Sequence, residues 1–134
     1  MKKILCFALL VLFLITTICT SEVPNMLGNW TGSWSSYDDG KGFTKSENES
    51  IRLTVLAQEN RIFAGNLIVK LENETELRQD FAGAIGLDNK TLYIAEFFKG
   101  YSLGTIVSSD EIELIYLADG DNGSAAIDDL YRIT

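Results

Sequence analysis

Histidine is absent from the 134 residues, proline occurs once, at Pro24, and cysteine twice, at Cys6 and Cys19. Without an imidazole there is no Ser-His-Asp or Cys-His relay, and zinc loses its commonest nitrogen ligand. Both cysteines lie within or at the edge of an apolar N-terminal run. If that run is removed, the rest of the chain has no disulfide and no thiolate, and it must be held together by its core alone. Basic residues are scarce too, 11 Lys and Arg against 19 Asp and Glu. A phosphate backbone needs clustered Lys and Arg, so this balance argues against nucleic acid as a partner, and against an anionic membrane surface for the same reason.

The acidic residues do not supply the missing chemistry. Asp38-Asp39 and Asp128-Asp129 are sequence neighbours, and neighbours on a strand face opposite sides. Neither pair therefore makes the facing carboxylates of a glycoside hydrolase, and both read as solvated turns or edges. Asp119-Gly120-Asp121-Asn122-Gly123 invites calcium. An EF-hand loop wants Gly at its sixth position and Glu at its twelfth, where this chain has Ser124 and Leu130. The loop reads as a hairpin connection. No catalytic residue, metal-ligand set or cofactor is assigned, and the expectation is a protein that is not an enzyme.

What is present begins with Met1-Lys2-Lys3 followed by Ile4 to Ile18, apolar and uncharged. A basic start and an apolar run are the pattern of a secretory signal, and about 15 residues fall short of the ~20 of a spanning helix. Residues 1–21 are expected to be a signal peptide and residues 22–134 a single domain. An uncleaved anchor is the alternative, and it would be the chain's one contact with a membrane. Lipidation at Cys19 is less well supported, because Ile18 stands where such signals carry a small residue. Removing Lys2 and Lys3 and no acid takes the formal net charge from −8 to −10.

Asn-x-Ser/Thr sequons occur at Asn29, Asn48, Asn73, Asn89 and Asn122. With 8 Asn and 20 Ser and Thr in the chain, chance gives roughly one. All but Asn29 fall at expected turns, where a glycan does not disturb a sheet. They are candidate N-glycosylation sites of a secreted or cell-envelope protein.

After Pro24 the chain alternates short strands with turn chemistry. Expected strands are Leu27–Ser36, Ser50–Ala57, Arg61–Leu71, Glu76–Leu87, Thr91–Phe98, Tyr101–Ser108, Glu111–Ala118 and Ala125–Ile133, with a polar loop over residues 37–42. Ile51, Leu53 and Val55 share one face, and Ile112, Leu114 and Tyr116 another. Short strands of period two at about 10-residue spacing argue an all-β meander. Eight of them argue an antiparallel up-and-down barrel, which leaves no open edges. Phe63-Ala64-Gly65 and Phe81-Ala82-Gly83 echo each other on neighbouring strands. They set a large residue beside none on the inner face, as a small barrel's curvature needs.

Gly28-Asn29-Trp30 at the first strand and Leu130-Tyr131-Arg132 at the last resemble the calycin superfamily of lipocalins, fatty-acid-binding proteins and avidins. The resemblance implies that Trp30 packs at a closed end of the barrel under Arg132. The avidin biotin site is not matched, because Gly32 replaces its Asn and Ser36 alone remains.

If Trp30 faces inward so does Trp34, and alternation carries Glu96 and Tyr116 inward with Leu92, Ile94, Ile112 and Leu114. Gln79 precedes Phe81 in the same way. Polar groups converging on an apolar interior are how such barrels fix a ligand. Trp34, Glu96 and Tyr116 are therefore the candidate site for a small apolar or amphipathic ligand, with Glu96 expected unpaired at the mouth. The alternative is a structural or interaction protein of the cell envelope, with a solid and glycosylated barrel.

Overall fold

The structure, a computed structural model, describes residues 22–46, 50–71 and 75–133. The expected signal segment lies outside them, as do Asn48 and Asn73. Nine strands are formed among the described residues: β1 (Gly28–Asp38), β2 (Gly42–Lys45), β3 (Ile51–Glu59), β4 (Ile62–Lys70), β5 (Glu76–Ile85), β6 (Thr91–Glu96), β7 (Tyr101–Ser108), β8 (Glu111–Ala118) and β9 (Ser124–Ile133). All pairings are antiparallel and run in chain order from β3 to β9. β1 pairs with β9 on one edge and with β3 on the other. That closes an eight-stranded up-and-down barrel.

The ninth strand corrects the expected polar loop. β1 continues through Tyr37 and Asp38 and turns back into β2, with Tyr37 opposite Phe43 and their rings edge to face at 4.9 Å. Four residues beginning with a Gly give too little alternation to be read from sequence. β2 and β3 are two parts of one interrupted strand along β1. Gly28–Gly32 pair with β3, and Ser35–Asp38 pair with β2. Between them Ser46 N donates to Trp34 O and Ser50 N to Gly32 O, each at 2.9 Å.

Two-residue periodicity fills the core. Ile51, Leu53, Val55, Phe63, Leu67, Phe81, Ile85, Leu92, Ile94, Ile112, Leu114 and Leu130 are buried, with Met26 and Trp30, while their strand neighbours such as Arg52, Tyr93 and Glu113 are exposed. Turns use residues that tolerate left-handed backbone: Asn60, Asn89 and Asn122 all have φ near +60°, a region Asn enters more easily than most side chains. In the β5–β6 turn Asp88 accepts from Thr91 Oγ1 (2.6 Å), Thr91 N (2.9 Å) and Lys90 N (3.0 Å). These hydrogen bonds hold its pKa down to about 2.

Candidate functional site

The two ends of the barrel differ in chemistry. At one end Trp30 is buried, its Nε1 donating to Met26 O at 3.0 Å. Arg132, its cross-strand partner, lies with Cζ 4.1 Å from the Trp30 ring centroid. The guanidinium donates to Leu27 O (2.6 Å), Asn25 O (2.7 Å) and Ser109 O (3.1 Å), and faces Asp110 at 3.3 Å. It thus joins the segment before β1 to the β7–β8 turn, over the indole face. Gly28 explains the first residue of Gly-x-Trp. Its φ is +116°, and a Cβ there would stand 3.6 Å from Arg132 Nη1. Gln58 completes the plug, accepting from Met26 N (2.7 Å) and donating to Pro24 O (2.8 Å).

The opposite end is polar inside. Trp34, Glu96 and Tyr116 all face the interior there, and β7 links two of them. Ser102 is the cross-strand partner of Tyr116, and its Oγ donates to Glu96 Oε1 at 2.7 Å. Gln79 Nε2 donates to the other Glu96 oxygen. Glu96 is thus buried, 9% exposed, and paired with two donors. It is not the unpaired carboxylate at the mouth expected from sequence, because Gln79 and Ser102 occupy inward positions of the strands on either side. Burial raises its pKa, and the two hydrogen bonds only partly offset that. The Tyr116 hydroxyl donates to Lys99 O at 3.2 Å. Its pKa is raised by burial and then by the charges of Glu96, Asp38 and Asp128. Trp34 packs against the core, and its Nε1 is buried with no hydrogen-bond partner.

Asp128 is the residue sequence reasoning missed. The Asp128-Asp129 pair, read as solvated, is split by the strand: Asp129 is exposed and Asp128 is 6% exposed. It stands opposite Trp34 on β1 and Leu114 on β8. The signal was available, since Leu130 on the inner face carries Asp128 with it. Burial, then the charges of Glu96 and Asp129, push its pKa up to about 7. Asp38 behaves differently from the solvated pair expected. Burial opposes its ionisation, yet hydrogen bonds from Ser124 (2.6 Å), Ser36 (2.9 Å) and Thr44 (3.4 Å), with the charge of Lys41, hold its pKa below the ordinary value.

A groove of about 690 Å³ lies on the outer wall, between the β1–β2 hairpin and β8–β9. Tyr37, Phe43, Ile115 and Ile127 line it, and Trp34, Glu96 and Tyr116 do not. Among the sequons, Asn29 is exposed on β1 and accepts from Thr54 Oγ1 at 3.0 Å. Asn122 is exposed in the β8–β9 turn, and Asn89 is half-buried in the β5–β6 turn.

No protein-family model and no curated protein matches this sequence. Among solved structures, a redesigned beta barrel is similar at a TM-score of 0.58 and 11% identity, over 84% of this chain and 92% of that one. A structural-genomics protein of unknown function from Bacteroides ovatus is similar at 0.57 and 14%, over 80% of this chain and 41% of that one. Lobster apocrustacyanin A1 aligns at 0.48 and 10%, over 81% and 60%. The first two likenesses show the fold, and the chain is an eight-stranded antiparallel up-and-down barrel.

Proposed function

We propose that the chain is an exported, non-enzymatic binding module that holds one small, apolar-bodied molecule at the end of the barrel away from Trp30. The observation that carries this reading is the asymmetry of the two ends. At one end Trp30, Met26, Gln58 and Arg132 pack together, leaving only a small cavity of about 250 Å³ beside Trp30 and Arg132. The other turns Trp34, Glu96, Tyr116 and Asp128 inward. Solid packing favours apolar side chains at such positions, since a buried polar group is costly unless it is paired. Export rests on the basic start and apolar run of residues 1–18 and on the sequons.

A second reading draws on the outer groove, where Phe43 is 89% exposed. An interaction protein of the cell envelope would use that face and leave the interior solid. Titration with apolar amines, alcohols and fatty acids separates the two. For a binding module at least one class shifts the Trp fluorescence, and Trp34→Phe abolishes the shift. If no class does, the solid barrel is the better account. N-terminal sequencing of secreted protein is expected to begin between residues 20 and 22, and a start at Met1 would favour the anchor.

A further inference from the structure

We infer that the barrel end away from Trp30 selects a ligand with a cationic head, a protonated amine on an apolar body, received by the carboxylates of Asp128 and Glu96 beside Trp34 and Tyr116. This deepens the binding-module reading and rests on it.

The case starts from Asp128. It is 6% exposed, and its carboxylate accepts no hydrogen bond among the described residues. The charges acting on it, Glu96 and Asp129, are both negative. Glu96 receives one donor on each oxygen, from Ser102 and Gln79, and no cation. The lysine closest in sequence to Glu96, Lys99, is engaged elsewhere, on the carbonyls of Asn122 (3.1 Å) and Asp121 (3.5 Å). Two inward carboxylates therefore share one end of the barrel with no positive charge against either. A mostly buried carboxylate with no donor or cation beside it is costly to ionise, even though the Asp128 oxygens keep a trace of solvent contact, Trp34 Nε1 being the one fully buried unpartnered polar side-chain atom among the described residues. An ammonium supplies both the charge and the N–H donors it lacks.

A second observation comes from a different residue. Trp34, directly across from Asp128, has its Nε1 buried and without an acceptor. An ammonium, which only donates, does not satisfy that N–H, so Trp34 bears on a cationic head through its ring face and not through Nε1. The indole and the Tyr116 phenol also provide ring faces of the kind that attract an organic cation. A metal ion fits less well, because no group of three His, Cys, Asp or Glu able to hold one occurs among the described residues. An anionic head would meet like charge. The cross-strand neighbours Leu114, beside Asp128, and Phe81, beside Glu96, give an alkyl body apolar contacts.

The test uses the protein as purified from the producing cells and three probes of one chain length: decylamine, decanol and decanoic acid, below their micellar concentrations at pH 8. Decylamine is expected to bind at least about tenfold more tightly than either of the others. Asp128→Asn and Glu96→Gln should each remove most of that preference while leaving decanol affinity unchanged. Asp119→Asn, an exposed acid in the β8–β9 loop, should leave the preference intact, which excludes general attraction to an acidic protein. Decanoic acid or decanol binding as well as decylamine would overturn the cationic head and leave the binding module standing. An amine preference that survives both site variants, or is lost with Asp119→Asn, would also overturn it. If none of the three probes binds, both readings fall. Should one site variant not fold, as read by thermal unfolding, the other decides.

Discussion

Phe63 stands directly opposite Gly83 across the β4–β5 ladder, and Phe81 stands opposite Gly65. The repeated Phe-Ala-Gly segments thus pair reciprocally; the Phe63 ring lies over Gly83, while Gly65 is pressed against the Thr54 carbonyl of β3. The two rings meet edge to face at 6.0 Å, a favoured aromatic arrangement. A Cβ at position 83 would lie 2.3 Å from the Phe63 ring. Gly83→Ala is therefore expected to destabilise the barrel by about 1–3 kcal/mol through overpacking. Phe63→Leu in the same chain should recover part of the loss. A double-mutant cycle by urea unfolding measures the coupling, and simple additivity would contradict it.

Arg132 is held by three backbone carbonyls, an indole face and Asp110. Arg132→Ala should cost about 2–4 kcal/mol, the sum of a partly desolvated cation–π contact and charge-assisted hydrogen bonds. Arg132→Lys should recover only a minority of that, because a single ammonium cannot reproduce the guanidinium fork. Denaturant midpoints of the three proteins check both statements.

Asp128 sets a pH dependence whose sign is the reverse of the usual carboxylate. Its folded pKa, about 7, lies above the ordinary 3.8, so the folded state binds the proton more tightly. The resulting penalty is absent below about pH 4, grows as pH rises through 4 to 7, and is complete above that. Between pH 5 and 8 the protein should lose about 2–3 kcal/mol on this account. Asp128→Asn should flatten the slope and raise stability at pH 8. Asp38 and Asp88, whose pKa values are lowered, act oppositely and weaken the fold only as pH falls below about 4. Thermal unfolding across pH 3–9 for both proteins reads the difference.

The exposed sequon residues Asn29 and Asn122 should carry glycans when the chain is secreted from a glycosylating host. Asn→Gln at each should remove one glycan mass from the intact protein. Asn89 is half-buried and touches Glu22 O at 3.5 Å, so its occupancy should be lower. Peptide mapping by mass spectrometry gives the order.

Most of the barrel was legible because one face of each strand is apolar. Ile51, Leu53 and Val55, or Leu92 and Ile94, announce an inner face by alternation alone, and Asn and Gly mark the turns. β2 was not legible, since a four-residue strand carries two alternations at most, and its pairing depends on β1 continuing through two residues that read as loop. The site was half legible. Alternation placed Trp34, Glu96 and Tyr116 inside, but the partners of Glu96 come from other strands and depend on register. Asp128 was hidden by its neighbour: an acidic pair reads as solvent-facing unless the strand's phase is carried through it from Leu130.

The first strand is also the partner of the last. β1 and β9 pair from Asn29 opposite Ile133 to Asp38 opposite Ser124, and Arg132 reaches Leu27, 105 residues earlier in the chain. Such closure has a high contact order and is slow, because the loop must be brought together before the ladder rewards it. A nascent chain therefore has no finished barrel until its final strand has been synthesised. If the chain is exported as proposed, it would remain threadable through a translocation pore for nearly the whole of its synthesis, with the barrel closing only after passage.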